Sequence, residues 1–431
     1  AHKRRPPTAR YAGDAPKTYT KETPLRRSSV LLFSLLLAGF INANGAEKRA
    51  VFPAGVKPIG PYSPGILVGD YLYVSGQGAR GPDRQMPATF NAQLHQCLEN
   101  IKSVVEAAGL TMENVVYTQA YLTDITNYQR IDPVWRQFFT KAPPARSIMG
   151  VYRLPDDTPV EISAVAIRDL GRKKVIAPAG YPADSAVSAG VMAGERLYLS
   201  GFLGKDKSGD VPQDAAAQVQ LSFDQMKDTL AAAGLDFRHV VFVQPYLAGK
   251  MPSSVMNRIY ASHFEFGNTP ARNTMQVAGL PYGTGIEFTG VAVSDLSQRR
   301  AVRPKNMPPS PTASPCVLAG DTLYCSGKSG FIPGPHLGIY ASTVETQLRQ
   351  TMRNLLDGLE EAGMDFSNVV ANYVYLDNID DFTGMNRVYS QYFSGTLPTR
   401  TTVEHHSPVE RKPEEEDKWP ALEEIALIAV K

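Results

Sequence analysis

LVGDYLYVSG at residues 67–76 recurs as MAGERLYLSG at 192–201 and as LAGDTLYCSG at 318–327. In the first copy Tyr71 to Ser75 alternate apolar and polar and end on Gly76, which predicts a strand closing in a turn. Working outward, VEAAGL (105–110) recurs as LAAAGL (230–235) and LEEAGM (359–364). NVVYTQAYLTD (114–124) recurs as HVVFVQPYLAG (239–249) and NVVANYVYLDN (368–378). PARS (144–147), PARN (270–273) and PTRT (398–401) complete the series. A period of about 125 residues is far longer than that of a stacking repeat, so each copy reads as a small domain.

Each copy predicts the same elements. Leu94, Leu98, Ile101 and Val105 fall at helical spacing within 91–108, and Gly109 is a natural stop. Val115 to Leu122 is β-branched and aromatic, hence a strand. Residues 126–139 predict a helix carrying Trp135, Phe138 and Phe139 on its apolar side, with Pro133 in its first turn. Arg146 to Tyr152 and Val160 to Ile167 read as adjacent strands of a hairpin joined by the turn sequence LPDDT. The order β-β-α-β-α-β-β implies an α+β layer with both helices on one face of a sheet. The bare faces of three such sheets would be buried against one another, as an intramolecular pseudo-trimer. The expected divisions are a leader at 1–45 and repeats at 46–170, 171–297 and 298–431.

The 431 residues, at ~150 per domain, agree with three domains. Charge is unevenly placed. The first 45 residues hold eight Lys/Arg and two acids, a charge of +6, which leaves −4 for the rest of a chain totalling +2. Within that leader Arg26 and Arg27 precede a twelve-residue apolar run, 30–41, and small residues Ala43 and Gly45 follow. This is the pattern of a secretory signal peptide, so export to a periplasm or the exterior is expected, with no stable membrane anchor. The three cysteines, Cys97, Cys316 and Cys325, show no CxxC spacing and are expected to be apolar packing residues without a disulfide.

An Arg opens the penultimate strand of each repeat and a Glu lies in the last: Arg146 with Glu161, Arg272 with Glu287, Arg400 with Glu424. The last pair is spread by a polar insert, 405–420, whose bulging outward would realign the strand ends. An Arg fork binds a carboxylate and stays charged, and a buried Glu can move protons to and from water or a leaving amine. A structural ion pair is the alternative.

GPYSPG (60–65), SGQ (75–77), AAGL (107–110), PARS (144–147) and VEI (160–162) together resemble the Rid/YjgF family, RidA-like proteins also known as L-PSP endoribonucleases. The resemblance implies a chorismate-mutase-like fold, trimers with clefts between neighbours, and no metal or organic cofactor. It implies hydrolysis of small enamine or imine carboxylates, such as 2-aminoacrylate or 2-iminopropanoate, to a keto acid and ammonia. It assigns carboxylate binding to Arg146, Arg272 and Arg400, water handling to Glu161, Glu287 and Glu424, and cleft lining to Tyr62, Ser75 and Gly76. A non-catalytic small-ligand or interaction protein, and an endoribonuclease, are the alternatives. The acidic body, without a basic stripe interleaved with aromatics, argues against nucleic acid as a partner.

The repeats depart from the family pattern individually. Tyr62 becomes Val187 and Ala313, and Gln77 becomes Phe202 and Lys328. Asn257 and Asn386 correspond to Asp132, and the second acid of the family motif is replaced by Ser163, Thr289 and Ala426. One or two working clefts are therefore expected, each combining residues of different repeats. Other signals carry less. Gly320 and Gly327-Lys328 have six residues between them rather than the four of a phosphate-binding loop, no GxSxG nucleophile motif is found, and His405-His406 beside Glu410 read as a solvated loop.

Overall fold

The computed structural model describes residues 47–305, 307–333, 338–413 and 418–431. The leader, and with it the signal-peptide reading, lies outside these residues. Among the described residues no helix is long and apolar enough to cross a membrane.

The first repeat runs β1 (Arg49–Val51), β2 (Gly65–Val68), β3 (Tyr71–Gly78), α1 (Phe90–Ala107), β4 (Val115–Leu122), α2 (Ile131–Phe138), β5 (Ala145–Gly150) and β6 (Val160–Ile167). The second supplies β7 (Lys173–Ile176), β8 (Gly190–Ala193), β9 (Arg196–Leu203), α3 (Ala215–Ala232), β10 (Val240–Ala248), α4 (Ser253–His263), β11 (Ala271–Arg272), β12 (Met275–Val277) and β13 (Ile286–Val293). The third supplies β14 (Arg299–Val302), β15 (Cys316–Ala319), β16 (Thr322–Ser329), α5 (Val344–Glu361), β17 (Val369–Leu376), α6 (Phe382–Tyr389), β18 (Thr399–Glu404) and β19 (Glu423–Val430). The α+β class holds, with a short edge strand added ahead of the expected elements.

Helix α1 starts on Thr89, whose side chain caps Ala92 N–H, and gives way to Gly109 at φ +79°, where the absent Cβ removes the strain. Pro133 sits in the first turn of α2, where its missing N–H costs no helical bond.

The expected hairpin of the last two strands is not formed. The sheet order is β1-β2-β3-β6-β4-β5, so β4 lies between β5 and β6. Strand β5 returns from α2 parallel to β4, and the chain then steps across β4 to lay β6 antiparallel on its other side. The sequence pattern marked two strands and a turn but not which edge of β4 each would take.

Both faces of each sheet are buried. On β6, Ile162, Ala164 and Ala166 pack on Leu94, Leu98, Ile101 and Trp135 of the helices. Val165 and Ile167 point the other way, into a core shared with Val191, Tyr198 and Val291 of the second repeat and Val317, Tyr324 and Ile428 of the third. That shared core is the pseudo-trimer. Each buried aliphatic or aromatic side chain contributes about 1.5–3 kcal/mol. Polar pins between repeats, at about 1 kcal/mol each, therefore fix register rather than drive association.

One cysteine expectation is corrected. Cys316 and Cys325 face each other across β15 and β16 and form a disulfide, while Cys97 is buried and free. The reason lies in a packing swap. In the first two repeats the strand residue is Gly65 or Gly190, and a Cβ there would meet Val104 at 2.7 Å or Thr229 at 3.1 Å. In the third repeat the strand carries Cys316 and the helix carries Gly358, whose added Cβ would meet Cys316 Sγ at 2.6 Å. The sulfurs fill the space left by the helix side chain. Protein purified without reductant and denatured should take up one alkylating group per chain, at Cys97, and three after reduction. Three without reduction would disprove the pairing.

Candidate functional site

The Ser-Gly step of each repeat is a β-bulge. Register between β3 and β6 shifts between Val74 and Gln77, so Ser75 and Gly76 together oppose Ser163. The same shift spans Ser200-Gly201 against β13 and Ser326-Gly327 against β19. The bulge lays the glycine against the next strand's glutamate. A Cβ on Gly76, Gly201 or Gly327 would overlap the carboxyl of Glu161, Glu287 or Glu424.

The bulge serine is a pin between repeats. Arg400 N donates to Ser75 Oγ at 2.9 Å, Ser75 Oγ donates to Ser63 O at 2.7 Å, and Ser63 N donates to Pro398 O at 3.0 Å. Arg146 N donates to Ser200 Oγ and Arg272 N to Ser326 Oγ, both at 2.8 Å. Each arginine is thereby fixed at the neighbour's bulge. Ser75 is buried with its hydroxyl spent, so it positions Arg400.

The glutamate facing each arginine consequently belongs to the next repeat. Arg146 meets Glu287, Arg272 meets Glu424, and Arg400 meets Glu161. Within one repeat the two residues are held apart. Arg146 pairs with Thr118 of β4, whereas Glu161 pairs with Tyr121 on its other side. The third repeat keeps this offset, Arg400 opposite Asn372 and Glu424 opposite Tyr375, so the polar insert does not disturb the strands.

The three clefts differ. The one between repeats three and one is a cavity of about 160 Å³ lined by Arg400, Glu161, Tyr62, Gly76, Gln77, Phe382 and Thr402. Arg400 is 3% exposed and stacks under Tyr62 at 5.2 Å and Tyr389 at 5.0 Å. Its Nη1 donates to Asn386 Oδ1 at 2.7 Å, while Nη2 is buried without a partner. Gly60 keeps that nitrogen open, since a Cβ there would stand 2.7 Å from it. Burial pushes the Glu161 carboxyl up to about 8, with Arg400 opposing. At the mouth Arg80 and Arg84 share Asp156, leaving a positive rim.

Between repeats one and two most, but not all, of the polar groups are paired, Arg146 Nη1 staying buried without a partner. Arg146 Nη2 is paired with Asp132 at 2.6 Å, so a carboxylate already holds the fork. Glu287 accepts from Ser147 Oγ and Ile148 N, although burial still raises it to about 8. Phe202, at the Gln77 position, is turned into the helix-side core.

Between repeats two and three a cavity of about 380 Å³ is lined by Arg272, Thr274, Ala313, Gly327, Lys328 and Glu424. Arg272 Nη1 donates to Asn257 Oδ1 at 2.7 Å. Burial raises Glu424 to about 7, with Lys328 and then Arg272 opposing.

Sequence reading missed the residue after each arginine. Ser147 ties down Glu287, Asn273 is buried with both amide atoms unpartnered, and Thr401 is buried. The variation PARS, PARN, PTRT was the available signal.

The family model described as Endoribonuclease L-PSP matches residues 53–168, 179–294 and 305–409. The chain belongs to that family. Among L-PSP relatives, a RutC family protein of Saccharolobus solfataricus is 45% identical over 112 residues, 26% of this chain and 89% of its own. The 2-iminobutanoate/2-iminopropanoate deaminase of Escherichia coli is 39% identical over 114 residues, 26% of this chain and 89% of its own. The crystal structure of E. coli TdcF with bound serine is 33% identical, covers 28% of this chain and 99% of that chain, and gives a TM-score of 0.27. These two curated relatives thus each match over about the length of one repeat.

Two consequences are measurable. Ser75→Ala strands the buried Arg400 N–H and should lower unfolding free energy by about 1–3 kcal/mol in urea titration. An unchanged midpoint would refute the pin. Glu161 takes its proton more tightly folded than unfolded, so its stabilisation is complete below the unfolded value near ~4.3 and lost as pH rises through about 8. Glu161→Gln lacks that loss. Its Tm relative to the parent should rise between about pH 5 and pH 9, and a constant difference would refute the elevated carboxyl.

Proposed function

We propose that the chain hydrolyses small imine or enamine carboxylates, of the 2-iminopropanoate type, to a 2-oxo acid and ammonia, at the cleft of Arg400 and Glu161. The observation that carries this is a cavity in which an unpartnered, buried arginine nitrogen faces a glutamate that keeps its proton near neutral pH. The E. coli deaminase relative supports the substrate class.

The substrate carboxylate binds Arg400 Nη2, the nitrogen buried without a partner, with Tyr62 over the guanidinium. The positive rim of Arg80 and Arg84 draws it in. Glu161 gives its proton to the imine nitrogen while water adds to C2, so a C–O bond forms and the C=N π pair moves to nitrogen. Glu161 then accepts a proton from the added water, passes it to nitrogen, and takes back the last hydroxyl proton as the carbonyl forms. The C–N bond breaks, ammonia leaves, and the carbonyl closes, with one water consumed and no redox change. The Arg146 cleft, where Asp132 pairs with Nη2 and Ser147 ties down Glu287, is read as a structural junction.

Ammonia release from an imine generated in situ should fall roughly 100-fold in Arg400→Ala and roughly 100- to 10,000-fold in Glu161→Gln. Because the protonated carboxyl is the acid, kcat/KM should decline above about pH 8. Parent protein that releases ammonia no faster than buffer would sink the deaminase reading in favour of ligand binding alone. We also propose export directed by residues 26–45. Amino-terminal sequencing of the processed protein should start just after Ala43 to Gly45, and an uncleaved leader would contradict it.

A further inference from the structure

We propose that the cleft between repeats two and three captures a 2-oxo acid covalently, its carboxylate on Arg272 and its carbonyl carbon condensed with Nζ of Lys328. The carboxylate half rests on the reading of these arginines as carboxylate binders. The covalent half is separate from it and belongs to Lys328.

Position 328 is the glutamine position of the first repeat. Gln77 bonds its own backbone through Nε2 at Ser75 O, 3.1 Å, and has no nucleophile to offer. Lys328 lies just past the bulge, on the wall of a cavity shared with Arg272 and Glu424. Among the described residues no hydrogen bond or contact ion pair ties its amine. Its charged surroundings are Glu424 and Asp357. On the same wall stand Arg272 and a buried, unpartnered Thr274 hydroxyl, with the Asn273 amide buried behind Gly327. Such a set of buried, unsatisfied groups calls for a polar occupant. Ala313 replaces the tyrosine that stacks in the Arg400 cleft, so the cavity is the roomier one, about 380 Å³. Burial lowers the Lys328 ammonium below its ordinary value, against the pull of Glu424 and Asp357, which raises the share of free amine.

The chemistry balances within the cleft. The Nζ lone pair attacks C2 of the 2-oxo acid, and the carbonyl oxygen takes the Glu424 proton. The new ammonium gives a proton back to Glu424. Glu424 then protonates the hydroxyl, which leaves as water, and the C=N bond forms. One water is released, and nothing is oxidised or reduced. Arg272 holds the carboxylate so that C2 faces the amine. A 2-oxo acid is also the product class of imine hydrolysis, so this cleft takes what the Arg400 cleft makes.

The test uses the full chain with pyruvate and cyanoborohydride, read by intact mass and peptide mapping. One carboxyethyl group per chain at Lys328 is expected. Arg272→Ala should lower that labelling about tenfold or more, and acetone, which lacks the carboxylate, should not label Lys328 above the surface lysines. Lys328→Met and the charge-keeping Lys328→Arg should both lose the adduct while retaining the parent's circular dichroism and Arg400-dependent ammonia release. Lys328 left unlabelled, or labelled no faster than exposed Lys174, overturns the proposal. Adduct at Lys328 without ammonia release anywhere would instead overturn the deaminase reading and leave this one standing.

Discussion

Everything in this molecule depends on the need to cover the second face of a sheet. Helices α1 and α2 shield one side of the first sheet, and Val165, Ile167 and Tyr73 are left on the other. Water on that face would cost about 25 cal/mol for each Å² of apolar surface. Three like sheets solve the problem for one another, and the clefts are a by-product of that closure. Where two sheets meet edge to face, a bulge serine of one accepts the arginine N–H of the other. No cleft is formed within a repeat, since each arginine faces its neighbour's glutamate.

How far the sequence told this in advance follows the range of each interaction. Helix α1 was legible from Leu94, Leu98, Ile101 and Gly109, because those signals are local. The tandem architecture was legible because the motifs recur in order. The partners of Arg146, Arg272 and Arg400 were not, because a strand pattern marks which residues share a face but not which strand lies beside it. The intervening β4 moved every arginine from its own glutamate to that of the next repeat. The disulfide was hidden for the same reason. Cys316 and Cys325 lack a familiar spacing, and only the opposed register of β15 and β16, with Gly358 making room, brings the sulfurs together.

Fusion of the three repeats into one chain also lifts a constraint that symmetry would impose. In a trimer of identical chains a substitution enters all three clefts. Here Asp132 neutralises one arginine, Phe202 leaves one cleft for the core, and Lys328 enters one cavity, each without touching the other two.

The axis itself carries the strongest case. Arg196 occupies the position held by Tyr71 and Thr322 in the other repeats, and it is buried in the shared centre. Its guanidinium lies 3.7 Å over the Tyr71 ring, donates to Tyr73 OH at 2.8 Å and reaches Asp321 at 3.5 Å. One cation there is solvated by aromatic faces and hydroxyls that only the other repeats can supply. Three, as identical subunits would provide, would set like charges together in a low-dielectric centre, a repulsion of several kcal/mol. Arg196 is therefore a residue that this fold can hold only when its three parts are unequal. The same inequality gives each cleft its own lining.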